Sequence, residues 1–175
     1  MVQNSEEQLA QDEIKVIVEL QKNAHENMET IARRCGFSRQ KIWRIMQHLE
    51  KSHEIWGYSA VTNEQKQGLQ KFVLLMKRST KPIDDNTANE LISYRKDKDI
   101  MNLGITVENS YYSHGAYDWI LIFTAQDMSQ AKKFSDTLLN KHPGMVSKVE
   151  LIQILMTLRS QHILNPEYEK LREFL

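Results

Sequence analysis

The chain has one cysteine, no excess of either charge and no long apolar run among its 175 residues. A single thiol, Cys35, excludes an internal disulfide framework and any metal site built from several thiolates. Cys35 stands where a helix pattern ends against a turn, so it reads as a packed core thiol. The histidines (His25, His48, His53, His114, His142 and His162) form no close pair at ligand spacing and no HExxH, so no metal is expected. No stretch approaches the uninterrupted apolar length of a membrane span. Residues 1–11 are polar and acidic, the reverse of a signal peptide. A cytoplasmic protein with no membrane partner is therefore expected. A glycine-rich phosphate loop, a nucleophile beside its base and paired catalytic carboxylates are all missing, so the chain does not read as an enzyme or as a cofactor carrier. Its 23 basic and 23 acidic residues cancel, and net charge gives no hint of a polyanion partner. What remains is an ordinary globular composition, 41% apolar, with a length comfortable for two domains.

One segment is one-sided in charge. Between Thr30 and Leu49 lie Arg33, Arg34, Arg39, Lys41 and Arg44, and no acidic residue. A helix pattern from Met28 to Cys35 meets the turn Gly36-Phe37-Ser38, and a second helix pattern runs from Arg39 to Lys51. Two short helices joined by a three-residue turn containing glycine form a helix-turn-helix. Asn27 and Ser38 are placed to cap the two helices. In the second helix Ile42, Ile45, Met46 and Leu49 line one apolar stripe, while Gln40, Trp43, Arg44 and Gln47 repeat the spacing on the opposite side. Those polar types reach base edges and phosphates, so double-stranded DNA is the expected partner. The DNA-contacting set reads as Arg34, Ser38, Arg39, Gln40, Lys41, Trp43, Arg44 and Gln47. A solvated helix face is the bland alternative for the charge run, and packing onto a neighbouring element the bland alternative for Trp43.

A first helix is expected over residues 12–23, and residues 54–61 read as a short strand or hairpin, a wing. The polar residues 62–70 read as a linker. The rest follows a β-α-β-β-α-β order: a strand over 71–78, a helix over 87–96, a weakly patterned strand over 101–112, the clearest strand over 117–125, a helix over 129–142 and a long strand over 146–158. Asn165-Pro166-Glu167 is a helix-start signal for the tail. The strands carry apolar residues on both faces: Ile120 and Ile122 alternate with Trp119, Leu121 and Phe123. Helices cover one face, so something must cover the other. A second copy of the sheet does this symmetrically, and helix-turn-helix proteins commonly read half-sites as dimers. Coverage by the chain's own tail is the alternative, and that tail is short for four strands.

The residues Glu19-Leu20-Gln21-Lys22, Ile31-Ala32, Gly36-Phe37-Ser38, Ile42, Leu49-Glu50, Ile55 and Gly57-Tyr58 resemble, in order and spacing, the Lrp/AsnC (feast/famine) family. The second half resembles the family more loosely, through Gly115-Ala116-Tyr117-Asp118 and Pro143-Gly144-Met145-Val146. The resemblance implies an α+β chain: a winged helix-turn-helix over 1–61, a linker over 62–70, a ferredoxin-like dimerisation and effector domain over 71–159, and a helical tail over 160–175. It further implies a transcription regulator acting as a homodimer, with tetramers or octamers built from dimers in many members. Many members bind a small-molecule effector such as an amino acid, which brings His114, Gly115, Tyr117 and Asp118 into consideration. Asp118 could receive a ligand ammonium or could instead bond nearby backbone N–H groups.

Two departures stand out. Ser52-His53-Glu54 occupies the place where the family usually has a glycine, and Tyr111-Tyr112-Ser113-His114 is unusual for its second strand. The residues after Leu158 are extra. Two other readings remain open: a siroheme-decarboxylase-like enzyme on the same two-domain plan, and a DNA-binding protein without an effector.

Overall fold

The computed structural model describes residues 2–93, 102–141 and 143–175. The chain divides into two compact units, Met1–Val61 together with Thr157–Leu175, and Thr62–Met156.

In the first unit α1 (Val2–Lys22), α2 (Met28–Cys35) and α3 (Arg39–Lys51) pack around Val16, Leu20, Ile31, Ala32, Ile42, Ile45 and Leu49. Each is a position where the helical period brings an apolar side chain to the shared centre. Helix α1 starts well before the expected residue 12, because its N-terminal part holds Glu, Gln, Leu and Ala and no breaker. Cys35 is half-buried against this core, with its thiol 3.8 Å from the Lys15 carbonyl. Burial pushes that thiol's pKa up, away from the range of a reactive thiolate.

The expected wing strand is not formed. Residues 54–61 carry no strand; Glu54 and Ile55 N–H bond to the Leu49 carbonyl, both at 3.0 Å, and the Tyr58 hydroxyl donates to Glu50 of α3 at 3.0 Å. A strand exists only through a hydrogen-bonded neighbour, and β propensity alone supplies none. The tail also differs from a simple helix. It forms a small hairpin, β5 (Arg159–Ser160) with β6 (Ile163–Leu164), and then a 3-10 turn, Tyr168–Phe174. The hairpin's tip residues, Gln161 and His162, both have positive φ, as a two-residue type I′ turn requires.

The second unit runs β1 (Gln70–Arg78), α4 (Asp85–Ser93), β2 (Thr106–Tyr112), β3 (Trp119–Ala125), α5 (Met128–Lys141) and β4 (Val146–Ile154). The expected β-α-β-β-α-β order is therefore present, as an antiparallel sheet in the order β2-β3-β1-β4. Asp84 starts α4 by accepting from the Thr87 backbone N–H and hydroxyl, both at 2.9 Å. The expected continuation of this helix to residue 96 and the helix end at His142 lie outside the described residues, as does Met101. The expected strand over 101–112 begins only at Thr106, because residues 102–105 carry a turn in which Gly104 takes φ of 68°. The last strand stops at Ile154 and not near 158, because its partner β1 begins at Gln70 and offers nothing to pair with beyond Lys71↔Ile154.

Register decides which residues share a face. Phe72, Leu74 and Met76 of β1, with Leu121, Phe123 and Ala125 of β3, lie under Ala131, Phe134 and Leu138 of α5. Phe123 is central, stacked on Phe72 at 5.6 Å between ring centroids and meeting Phe134 edge-on at 4.7 Å. The opposite face is also apolar. One cross-strand row runs Ile122–Val73–Ile152, and a second runs Tyr111–Ile120–Leu75–Glu150. These residues are half-buried or exposed, with Tyr111 at 50% and Ile152 at 45%. Lys71 borders this face, its ammonium held between Glu64 and Glu108. Burial opposes its charge, but the two carboxylates more than offset it and raise its pKa.

Candidate nucleic-acid interface

Three local devices fix the ends of α2 and the start of α3. Asn27 caps α2 by accepting from Thr30 N–H at 2.7 Å, and Gly36 ends it with φ of 72°. Only glycine takes that left-handed turn without cost, and Phe37 N–H then returns to Ala32 O at 2.9 Å. Ser38 caps α3, accepting from Lys41 N–H at 3.2 Å. These caps are where the sequence pattern places them.

Past α3 the chain needs a second left-handed residue. His53 supplies it with φ of 62°, and Glu54 N–H closes onto Leu49 O at 3.0 Å. The bend for which the resembled family uses glycine is thus made by a β-carbon residue under strain. A non-glycine residue in this region costs about 1–3 kcal/mol, and glycine's greater chain entropy gives back about 0.5–1 kcal/mol of that relief. His53→Gly is therefore expected to stabilise the protein by about 1 kcal/mol in chemical denaturation. Unchanged or reduced stability would contradict strain at this residue.

The residues expected to contact DNA fall into three groups. Gln40, Trp43 and Arg44 are exposed along the outer side of α3, opposite the buried Ile42, Ile45 and Leu49. Trp43 is 54% exposed. Among the described residues none of the three has a hydrogen-bond or ion-pair partner. Arg34 and Arg39 are exposed but paired: Arg34 with Glu19 (3.5 Å) and Glu26 (3.4 Å), Arg39 with Glu29 (3.4 Å). Such exposed pairs contribute little and exchange readily for other anions. Lys41 forms a third group. Its ammonium pairs with Asp12 of α1 and lies 4.0 Å from the Phe37 ring centroid. The Lys41 bond holds the buried Asp12 carboxyl below its usual range, against the opposing effect of burial. That geometry makes Lys41 a tie between helices. Gln47 is exposed, and its amide nitrogen donates to Glu50 at 3.2 Å.

Sequence reasoning did not single out Trp56, which is 92% exposed beside the half-exposed Tyr58 in the segment after α3. The signal that could have found it is two aromatics at alternate positions in an extended run with no apolar partner run.

The turn between β2 and β3 holds the effector candidates. His114 and Gly115 are exposed, and Tyr117 and Asp118 half-buried. The Asp118 carboxylate accepts from Arg78 N–H at 2.7 Å and pairs with the Lys77 ammonium at 3.3 Å. Lys77 also donates to the Gly115 carbonyl at 2.9 Å. Asp118 thus serves as the turn aspartate that ties this loop to the end of β1. Its pKa is lowered, first by the Arg78 N–H and then by Lys77, against desolvation. A depressed carboxylate stabilises the fold above the ordinary aspartate range, and that contribution disappears as pH falls through the lower folded value. The wild type is therefore expected to lose stability on acidification below about pH 4. Asp118→Asn should show a shallower acid slope in pH-dependent thermal melts, and an unchanged slope would show that the carboxylate's charge is not used. Tyr117 meets the Lys148 ammonium at 3.0 Å, which in turn pairs with Glu150 at 2.7 Å. Among the described residues no cluster of histidine, cysteine, aspartate and glutamate is arranged to hold a metal ion.

Residues 13–53 match the family model described as winged helix-turn-helix DNA-binding. No curated protein sequence matches the chain. Solved structures do, with low identity. A transcriptional regulator from Neisseria meningitidis, solved as an L-Met complex, is 20% identical with a TM-score of 0.64, covering 85% of this chain and 91% of that one. A feast or famine regulatory protein from M. tuberculosis, complexed with L-methionine, is 20% identical with a TM-score of 0.63 and covers 87% and 95%. An AsnC family transcriptional regulator from Agrobacterium tumefaciens is 18% identical with a TM-score of 0.63 and covers 90% and 97%. At such identity the likeness is one of fold.

Proposed function

From a chain with a winged helix-turn-helix match over residues 13–53 and the two-domain fold of AsnC-type regulators, we propose a sequence-specific DNA-binding transcription regulator that acts as a homodimer. The observation that carries this reading is the outer face of α3, where Gln40, Trp43 and Arg44 stand exposed, and unpaired among the described residues, over an apolar inner face. Arginine to guanine and glutamine to adenine are the pairings that groove geometry favours. Ser38 and the start of α3 present backbone N–H groups to phosphate, and Arg34 and Arg39 exchange their carboxylates for phosphates. Trp43 meets a thymine methyl or a sugar. Lys41 stays with Asp12.

The dimer uses the open face of the sheet. The rows Ile122–Val73–Ile152 and Ile120–Leu75 form an apolar surface that a second copy covers symmetrically. The tail groups with residues 1–61 and not with the sheet, which favours a second copy over self-coverage. Tetramers or octamers would be built from such dimers.

A small-molecule effector, an amino acid being the first class to test, acts at the turn of His114, Gly115, Tyr117 and Asp118. The regulators from N. meningitidis and M. tuberculosis were solved with L-methionine. One observation favours an effector-independent protein instead: the Asp118 carboxylate is already occupied by Arg78 N–H and Lys77. An amino-acid ligand would then be held by other groups of the turn.

The experiment is a fluorescence titration of the protein with a selected DNA pool across salt concentrations. An enriched palindromic site, bound more weakly as salt rises through counterion release, supports the reading. Weak binding with no site enriched over random duplex overturns it.

A further inference from the structure

Resting on the DNA-binding reading above, we propose that Glu50 is a positioning residue: held by Tyr58, it fixes the Gln47 amide in one orientation and so sets the base preference where Gln47 reads. The two oxygens of Glu50 have separate donors. Gln47 Nε2 donates to Oε2 at 3.2 Å, and the Tyr58 hydroxyl donates to Oε1 at 3.0 Å. An ionised carboxylate only accepts hydrogen bonds, so it selects the NH2 end of the glutamine amide. Among the described residues the Gln47 carbonyl oxygen and its second amide hydrogen have no partner, and the side chain is exposed. That acceptor–donor pair matches adenine N6 and N7 in the major groove. Unclamped, the terminal amide torsion of glutamine is broad and can turn either end toward a base.

Tyr58 keeps Glu50 in place. It comes from the strandless segment after α3, where its hydroxyl adds a side-chain hold on the helix beyond the Glu54 and Ile55 N–H bonds to the Leu49 carbonyl. Partial burial, and then the neighbouring Glu50, push its pKa up to about 12, so the hydroxyl remains a donor through neutral pH. The arrangement has a cost with a readable sign. A carboxylate beside a DNA-reading face repels phosphates of any sequence, so Glu50 lowers affinity for all DNA while sharpening one position.

The test uses the full chain, titrated against the selected half-site, against duplexes varied one base pair at a time, and against random duplex. In Glu50→Ala the preference at a single base pair is expected to fall at least about 5-fold. Other positions stay unchanged and random-duplex binding strengthens. Tyr58→Phe should relax the same position with little change in random-duplex affinity, because the charge remains. Two outcomes overturn the proposal while leaving the regulator reading intact: an unchanged base profile in both variants, or a uniform loss at every position together with a lowered Tm, which marks mere support of the fold. A parent protein with no base preference overturns the regulator reading and this proposal with it.

Discussion

Arg44→Ala is expected to bind its selected site about 5- to 150-fold more weakly, the range for losing about 1–3 kcal/mol of bidentate base contact. Its melting temperature and oligomeric state should not move. Both halves of that expectation follow from position. Arg44 lies on the exposed side of α3 with no partner among the described residues, so truncation leaves no buried group unsatisfied. The buried Ile42, Ile45 and Leu49, which seat the helix, point the other way. The loss should also be selective. Substitution of the base pair that Arg44 meets should weaken the parent and leave the variant nearly indifferent, whereas a lost phosphate contact would weaken all sequences alike. An Arg44→Ala protein that binds the selected site as tightly as the parent would place the reading face elsewhere.

Ile122→Asp is expected to convert the proposed dimer to a monomer. Ile122 begins the row Ile122–Val73–Ile152 across three strands of the open sheet face. In an isologous dimer one substitution places two carboxylates in the apolar contact, one per copy. Each unpaired buried charge costs about 2–5 kcal/mol, so the dimer should weaken by on the order of 1,000-fold or more. The side chain faces away from the Phe72, Phe123 and Phe134 core, so the sheet and its melting should survive. Sedimentation gives the mass, and DNA titration should show weaker binding because two half-sites are no longer read together. A variant that remains dimeric with parental affinity would move the interface off this face.

Much of this was legible in the residues alone. The two caps, the glycine turn and the opposed faces of α3 follow from rules that act over four residues or fewer, and Asn27, Ser38, Gly36 and Ile42 obey them. The β-α-β-β-α-β order was legible for the same reason, since runs such as 72–76 and 119–123 have no polar interruption. Boundaries were less so. The start of α1 moved because no residue forbids helix before Asp12, and absence of a breaker is a weak signal. The end of β4 moved because a strand's length belongs to the pair, and β1 runs out at Gln70.

The site divides along the same line. That Gln40, Trp43 and Arg44 face outward is a consequence of the 3.6-residue period and needed no tertiary information. That Lys41 turns to Asp12, 29 positions away, did need it, as did the engagement of Asp118 by Arg78 and Lys77. Periodicity assigns a residue to a side of its element, but a charged side chain several bonds long chooses among partners that only folding assembles. The same reason separates Ser52-His53-Glu54 as read from His53 as found. By itself the sequence determined a helix-turn-helix with a polar outer face and a sheet apolar on both sides. The tertiary structure decided which of its charges remain free to meet a partner, because long-range packing had already claimed the others.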